Sequence, residues 1–290
     1  MREKVGLIGY GVMGKVIADR LSNQGYDVCI HDAQKTTLDQ AKSAGHSIFR
    51  TPDEVAKQVT IILLSLAKPT QVIEVVNRIV DSVKTGSSSS VIIVDTSTVD
   101  PTTSRVCASI AENKEIGYLD CPVLGRPTAC GNWTLPVGGQ NKLIECVRPI
   151  LEVFASNIVH VGPSGYGSAI KLLNNLMFGS INSITCEIFA LCERLELETH
   201  VFFDTVANSG AGTVSNLFRE LGPKIIDQEF TPTFSIDNLH KDLELGISMA
   251  SEIGMTLPLS EINRNLSEAA QAAGFGQEDT SALVKVYEQQ

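Results

Sequence analysis

A short apolar run, Lys4 to Ile8, leads directly into Gly9-Tyr10-Gly11-Val12-Met13-Gly14, and a helical pattern through Val16, Ile17, Ala18 and Leu21 follows until Gly25 ends it. A second strand, Asp27 to His31, then closes on Asp32, 18 residues beyond Gly14. A Gly-x-Gly-x-x-Gly alone says little. Set between a strand and a helix, with an acid at the end of the next strand, it specifies a βαβ unit that holds a dinucleotide. The glycines allow the tight turn and let main-chain N–H groups at a helix N-terminus approach a pyrophosphate. Gly9, Gly11, Val12, Met13 and Gly14 are therefore candidate cofactor-binding residues. Asp32 can accept hydrogen bonds from both adenosine ribose hydroxyls and repels a 2′-phosphate, which favours NAD. Lys35 could still hold that phosphate, so NADP stays open. The competing reading is three turn glycines and a surface aspartate.

The alternation of strand and helix continues. Thr51-Pro52-Asp53-Glu54 has the form of a helix start, with proline in the first turn and two acids behind it. Val59 to Leu64 and Val91 to Val94 are continuous apolar strands of the buried parallel kind, and Val72 to Val83 reads as a helix between them. Gly86 and four serines form the only low-complexity patch, expected to be a solvated loop. In open α/β sheets ligands lie beyond the carboxyl ends of the strands. Leu64, Ser65 and Thr96 to Thr98 thus become candidates to line the cofactor crevice, although Thr98 or Asp100 could equally cap a helix opened by Pro101. Tyr118 to Cys121 and Leu135 to Gly138 read as strands joined by a rigid loop, Pro122-Val123-Leu124-Gly125-Arg126-Pro127. An arginine held between glycine and proline can offer a planar fork to a carboxylate or similar anion, or merely be solvated. Val159 to Gly162 is a last short strand.

Beta patterning stops near residue 163, and helices are expected over 166–196, 199–208, 214–222, 237–253, 258–273 and 279–288, punctuated by Gly210, Gly212 and Pro223. From Val153 to Cys186 only Lys171 carries a formal charge. Desolvation disfavours the charged form of a lysine buried in such a run. Asn175 lies one turn on, and Ser168, Gly179 and Asn182 share that face. Leu172, Leu173, Leu176, Met177, Ile181 and Ile184 cover most of the rest, and a helix apolar nearly all round is expected to be central and buried. The bland alternative is a lysine that snorkels to solvent. The segment His240-Lys241-Asp242 sits early in an amphipathic helix, on a solvated face or towards a cleft.

At 290 residues the chain is long enough for one large or two ordinary domains. Its net charge of −10 gives no support for nucleic acid or an anionic membrane surface as a partner. Polar Asn174, Asn175 and Asn182 argue that the long apolar run is a core helix, not a membrane span. The opening Met-Arg-Glu-Lys enters a strand at once, leaving no room for a signal peptide. The seven cysteines include no Cys-x-x-Cys and no metal-ligand spacing with histidine, which fits reduced thiols in a cytoplasm and no bound metal.

Taken in order, these motifs resemble the β-hydroxyacid dehydrogenase family, which includes 3-hydroxyisobutyrate dehydrogenases and the semialdehyde and sulfolactaldehyde reductases, and the resemblance runs over essentially the whole length. Leu7 to Gly14 looks like its cofactor fingerprint, and Asp95 to Pro101 like its Ser-Thr loop, with Thr98 near nicotinamide and substrate. Lys171-Leu172-Leu173-Asn174-Asn175 is similar to its Lys-x-x-x-Asn motif, which implies Lys171 as acid/base and Asn175 as the group that holds it or the substrate. The Lys-Asp segment implies Lys241 at the cofactor; Asp242 and Phe234 are candidate substrate-binding residues. The implied architecture is α/β: a Rossmann-type doubly wound sheet over residues 1–163, then an all-α C-terminal domain over 164–290 with a long interdomain helix, assembled as a homodimer or homotetramer. One departure matters. Most of the family reads Pro-Val-Ser-Gly-Gly where this chain has Pro122-Val123-Leu124-Gly125-Arg126, so Leu124 replaces a substrate-gripping hydroxyl and Arg126 a glycine.

The expected chemistry is hydride transfer between NAD(H) and a small anionic aldehyde or 3-hydroxy acid, with Lys171 moving the proton. The alternatives are a sulfolactaldehyde or succinic semialdehyde reductase in which Leu124, Gly125 and Arg126 hold the anionic tail, an imine reductase, and a dinucleotide-binding protein without chemistry.

Overall fold

The computed structural model describes residues 3–83 and 91–288, so the expected Gly86 to Ser90 loop lies outside the described residues. The first half alternates strand and helix in the order β1 (Lys4–Ile8), α1 (Val12–Asn23), β2 (Asp27–His31), α2 (Lys35–Ser43), β3 (Ser47–Ile48), α3 (Pro52–Ala56), β4 (Ile61–Leu64), α4 (Pro69–Ser82), β5 (Ile92–Asp95), α5 (Pro101–Glu112) and β6 (Gly117–Asp120). A 3₁₀ turn, Pro127–Ala129, precedes β7 (Trp133–Gly138), α6 (Asn141–Phe154) and β8 (Ala155–Gly162). The remainder is helical: α7 (Tyr166–Arg194), α8 (Thr199–Ala207), α9 (Asn216–Ile226), α10 (Ile236–Glu252) and α11 (Pro258–Ala272), then a 3₁₀ turn, Thr280–Leu283, and α12 (Val284–Glu288).

The strands form one sheet in the order β3-β2-β1-β4-β5-β6-β7-β8. Pairing is parallel throughout, apart from a single antiparallel pair, Asp120 opposite Gly138, between β6 and β7. The chain moves outward from β1 through β2 to β3 and then crosses to β4, so the order reverses between β1 and β4. That reversal opens a crevice at the carboxyl ends of the strands. The apolar runs are continuous because both faces are covered. Leu7, Ile30 and Val94 pack with Ile17 and Leu21 of α1 and Leu151 and Phe154 of α6. Ile8, Ile62 and Ile93 pack on the other face with Val55, Val76 and Ile79. Each such side chain, fully buried, contributes about 1.5–3 kcal/mol. Helix starts follow the capping rules: Thr51 Oγ1 accepts from the Glu54 N–H at 3.3 Å, and Asp100, not Thr98, accepts from the Thr103 N–H at 2.8 Å.

The chain divides into two compact units, residues 1–171 and 172–290. The second has its own core, with Phe189, Phe218, Leu221, Leu239, Leu243 and Leu283 fully or nearly buried. Phe189 and Phe202 meet edge to face with centroids 5.6 Å apart.

Two expectations are corrected. Pro223 does not end a helix: α9 runs through it to Ile226, although a proline has no N–H to donate. Helix α7 is not buried all round. Ser168, Asn175, Gly179 and Asn182 are buried, whereas Leu173 is 54%, Met177 67% and Ile184 52% exposed. The polar and small face points inward because its partners are polar: Asn182 Nδ2 donates to the Thr280 carbonyl at 2.9 Å. By length and composition α7 could cross a membrane, and half of its most apolar stretch is buried.

Candidate active site

The first unit gathers the nucleotide-binding candidates at the reversal of strand order. Gly9 adopts φ +98, open to glycine, and a Cβ there would overlap the Ser65 carbonyl oxygen. A Cβ on Gly14 would overlap the Gly9 carbonyl, so Gly14 sets the close approach of helix and strand. Around Gly11 a Cβ would meet nothing within 4 Å. Among the described residues no side chain caps the N-terminus of α1, where Gly11 is the N-cap and Val12 and Met13 open the first turn. Open space before uncapped N–H groups is what a pyrophosphate requires, so these residues fit a dinucleotide. Asp32 is drawn to the same loop: its Oδ2 accepts from the Tyr10 N–H and its Oδ1 from the Gln34 N–H, both at 2.8 Å.

The loops after β4 and β5 are tied together. The Ser65 N–H donates to the Ile8 carbonyl at 2.9 Å, following on from Leu64. The Leu66 N–H donates to Ser97 Oγ at 2.9 Å, and Thr96 Oγ1 donates to the Leu64 carbonyl at 2.6 Å. Beneath them Asp95, almost fully buried, accepts from the Ser97 N–H and from the Tyr118 hydroxyl, each at 2.9 Å. Burial pushes its carboxyl up to about 6; the bonds from Ser97 and Tyr118 oppose the shift and the charge of Asp120 adds to it. Thr98 is half-buried two residues further on.

The loop carrying Leu124, Gly125 and Arg126 is pinned from beneath by Trp133. Leu124 and Thr134 exchange main-chain hydrogen bonds of 2.9 and 3.3 Å, and Trp133 Nε1 donates to the Arg126 carbonyl at 2.7 Å. A Cβ on Gly125 would strike the Trp133 ring. The main chain at Arg126 is thus held against Trp133.

Lys171 is half-buried in the second turn of α7. The start of that helix is held by Asp120, whose Oδ1 accepts from the Gly165 N–H at 2.8 Å and whose Oδ2 accepts from the Ser168 N–H at 3.0 Å. Burial raises the carboxyl of Asp120 above its ordinary value, and these N–H bonds oppose the shift. In the sequence Asp120 falls inside the strand Tyr118 to Cys121 and carries no expected role; the available signal is an acid near the end of an apolar strand.

In the second unit Asn175, Lys241 and Asp242 come together. Asp242 is 2% exposed; its Oδ2 accepts from Asn175 Nδ2 at 2.6 Å, and its Oδ1 lies 3.0 Å from Lys241 Nζ. Asp242 is thus on the buried face of α10, while His240 and Glu244 pair across one turn at 3.5 Å. Phe234 is separate from this trio: it packs edge to face on Phe178 at 5.4 Å, and its N–H points to Asp279 Oδ2 at 3.5 Å.

The doubly wound sheet and the glycine loop define a dinucleotide-binding protein. Residues 4–162 match the NAD-binding domain of 6-phosphogluconate dehydrogenase, and residues 165–287 match the NAD-binding model of NADP-dependent 3-hydroxyisobutyrate dehydrogenase. The chain is 30% identical over 288 residues to 2-(hydroxymethyl)glutarate dehydrogenase of Eubacterium barkeri, covering 99% of this chain and 95% of that protein. It is 29% identical to 3-sulfolactaldehyde reductase of Escherichia coli, over 97% of this chain and 94% of that one. The crystal structure of 3-hydroxyisobutyrate dehydrogenase from Salmonella typhimurium superposes with a TM-score of 0.87 at 25% identity, covering 98% and 99% of the two chains. The chain belongs to the β-hydroxyacid dehydrogenase family. It is an oxidoreductase that uses NAD(P).

Proposed function

We propose that this enzyme interconverts a small 3-hydroxy acid and the corresponding aldehyde acid, as a 3-hydroxyisobutyrate dehydrogenase does, with Lys171 as general acid/base. The observation that carries the reading is the arrangement on α7: a half-buried lysine with Asn175 one turn on and Asn175 itself held by Asp242. When bound, the cofactor supplies or accepts a hydride at C4 of its nicotinamide. Lys171 gives its proton to the forming alkoxide in reduction and takes it back in oxidation. Asn175 orients Lys171 or the substrate, and its own orientation is fixed because its amide is committed to Asp242. Thr98 sits at the substrate beyond β5, and Lys241 approaches the cofactor. The N-terminal 163 residues hold the cofactor through Gly9, Gly11, Val12, Met13, Gly14, Asp32, Leu64 and Ser65; residues 164–290 supply substrate contacts, Phe234 and Asp242 among them, and the oligomer contacts. Asp32 favours NAD over NADP.

A second reading rests on one loop. Leu124 stands where the family resemblance implies a serine, and the Arg126 carbonyl accepts from Trp133 Nε1. The substrate tail would then be gripped by a guanidinium, as suits a sulfonate or a longer carboxylate such as succinic semialdehyde. The imine reductases that share the fold, at 17–18% identity, bear on the fold alone. A homodimer or homotetramer is supported by the exposed apolar stripe of α7, which runs from Tyr166 through Leu173, Met177 and Ile184 to Leu191. The cytoplasm is the expected compartment, on the reading of the cysteines as reduced thiols.

The test is oxidation of NADH and of NADPH against methylmalonate, succinate and tartronate semialdehydes, glyoxylate, sulfolactaldehyde and one cyclic imine. Turnover of one aldehyde acid with NADH, reduced about 10²–10⁴-fold in kcat by Lys171→Ala, is the expected result. Near-normal kcat in Lys171→Ala refutes the role of the lysine, and turnover of the imine alone refutes the substrate class.

A further inference from the structure

Asp120 ends β6 in a space closed by glycines. A Cβ on Gly138, its partner across the antiparallel pair, would lie 2.5 Å from Asp120 Oδ1, and a Cβ on Gly167 would lie 2.5 Å from the Pro136 carbonyl oxygen and 2.6 Å from that of Asp120. Within that space both carboxylate oxygens are used: one accepts from the Gly165 N–H, the other from the Ser168 N–H. Ser168 is held a second time, by a buried 2.8 Å hydrogen bond between its hydroxyl and that of Ser104 on α5. Two bonds from one rigid acceptor, with a third from a neighbouring helix, fix both the rotation and the axial position of the first turn of α7. Ser168, Lys171 and Asn175 follow at i, i+3 and i+7 on one face. Whatever fixes Ser168 therefore fixes where Lys171 projects.

We infer that Asp120 is a positioning residue for Lys171: the carboxylate on the sheet sets the helix on which the proton-transferring lysine is carried. The inference rests on the reading of Lys171 as acid/base. Displacing a reacting group by about 1 Å can lower a rate about 100-fold. In Asp120→Asn one oxygen still accepts, but the amide NH₂ faces the second N–H, so the helix start loses one of its two bonds and gains a donor–donor clash.

The experiment is a kinetic double-mutant cycle with the NADH-dependent aldehyde acid that the wild-type enzyme turns over best, read as single-turnover rates. Expected for Asp120→Asn is a fall of about tenfold or more in rate, with substrate KM and NADH Kd within about twofold of wild type. In a Lys171→Ala background the same change should alter the residual rate less than about twofold, because the group it positions is gone. An equal fall in both backgrounds, or a raised KM at unchanged rate, overturns the proposal. If Asp120→Asn does not fold, Ser104→Ala decides: a smaller fall confined to the background that retains Lys171 supports the inference, and equal effects in both overturn it. Failure of the underlying reading is seen separately, as a near-normal rate in Lys171→Ala alone.

Discussion

Asn175 donates its side-chain amide to Asp242 at 2.6 Å, joining α7 to α10 across 67 residues of sequence inside the helical unit. The carboxylate is almost wholly removed from water and is balanced by Lys241 on its other oxygen. Gly179 and Gly246 bring the two helices close: Cβ atoms there would lie 2.9 Å from Leu243 and 2.8 Å from Leu176. A short, charge-assisted hydrogen bond at such a contact is costly to leave half made.

Asn175→Ala should therefore destabilise the protein by about 1–3 kcal/mol, the cost of an unsatisfied buried acceptor. Asp242→Asn should cost less, since an amide can still pair with Asn175. The two together should fall short of the sum of the single effects by at least about 0.5 kcal/mol. Thermal unfolding of the four proteins measures this, and strict additivity would mean that the two side chains do not interact in solution.

The glycine loop makes a sharper contrast. Gly14→Ala places a methyl group on the Gly9 carbonyl and should prevent normal folding of the first unit. Gly11→Ala enters open space at a φ of −69 that alanine adopts readily, so its melting temperature should stay within about 3 °C of wild type. Its methyl group would stand where the pyrophosphate approaches, and the Kd for NADH should rise about tenfold or more, equivalent to about 1.4 kcal/mol. Calorimetric titration gives the answer; unchanged affinity in a folded Gly11→Ala protein would move the phosphates elsewhere.

The cofactor half of this molecule was legible because its signals are local. The glycines, the acid after β2 and the apolar strands lie within a few residues of the structure they specify. The helical half was less so. On α7 the apolar count alone suggested burial all round, yet the buried face carries Ser168, Asn175 and Asn182, and the large residues Leu173 and Met177 are exposed. The partners that make this favourable, Asp242 and the Thr280 carbonyl, are 67 and 98 residues away, beyond the reach of periodicity. Asp120 shows the same limit, since its partners at Gly165 and Ser168 are 45 and 48 residues on. A proline removes a hydrogen bond, so the sequence predicts a stop at Pro223, but tertiary packing of Leu221 and Ile225 carries α9 past it.

Asp279 should govern acid stability of the helical unit. Its side chain is fully buried; burial alone would raise its pKa, but Lys224 at 2.8 Å and donors from Thr233 and Ser281 outweigh burial and hold it at about 2. A carboxyl depressed in the folded state contributes stability that is present above its ordinary value near 3.8 and lost as pH falls through about 2. The contribution is about 2 kcal/mol. Urea unfolding followed by circular dichroism between pH 5 and pH 2 should show this loss in the wild type, and a flatter dependence in Asp279→Asn on a lower starting stability.

Asp95 should act in the opposite sense and in the other unit. Its pKa of about 6 in the folded protein exceeds the ordinary 3.8, so folding favours the protonated form. Stability from this group is then greatest below about pH 4 and declines as pH rises through 6, by about 3 kcal/mol in all. Asp120, also raised by burial, adds to the same slope. The single tryptophan, Trp133, is buried in the first unit, so its fluorescence follows that unit during urea unfolding. The expected result is a midpoint that falls between pH 4 and pH 6.5 in the wild type and falls much less in Asp95→Asn. The same slope in both proteins would assign the proton uptake to another group. The Asn variant should also loosen the loop above it, because its amide cannot accept from both the Ser97 N–H and the Tyr118 hydroxyl through two oxygens as the carboxylate does. Faster proteolysis within residues 96–98, at a pH where both proteins remain folded, would report that loosening independently of the stability measurement.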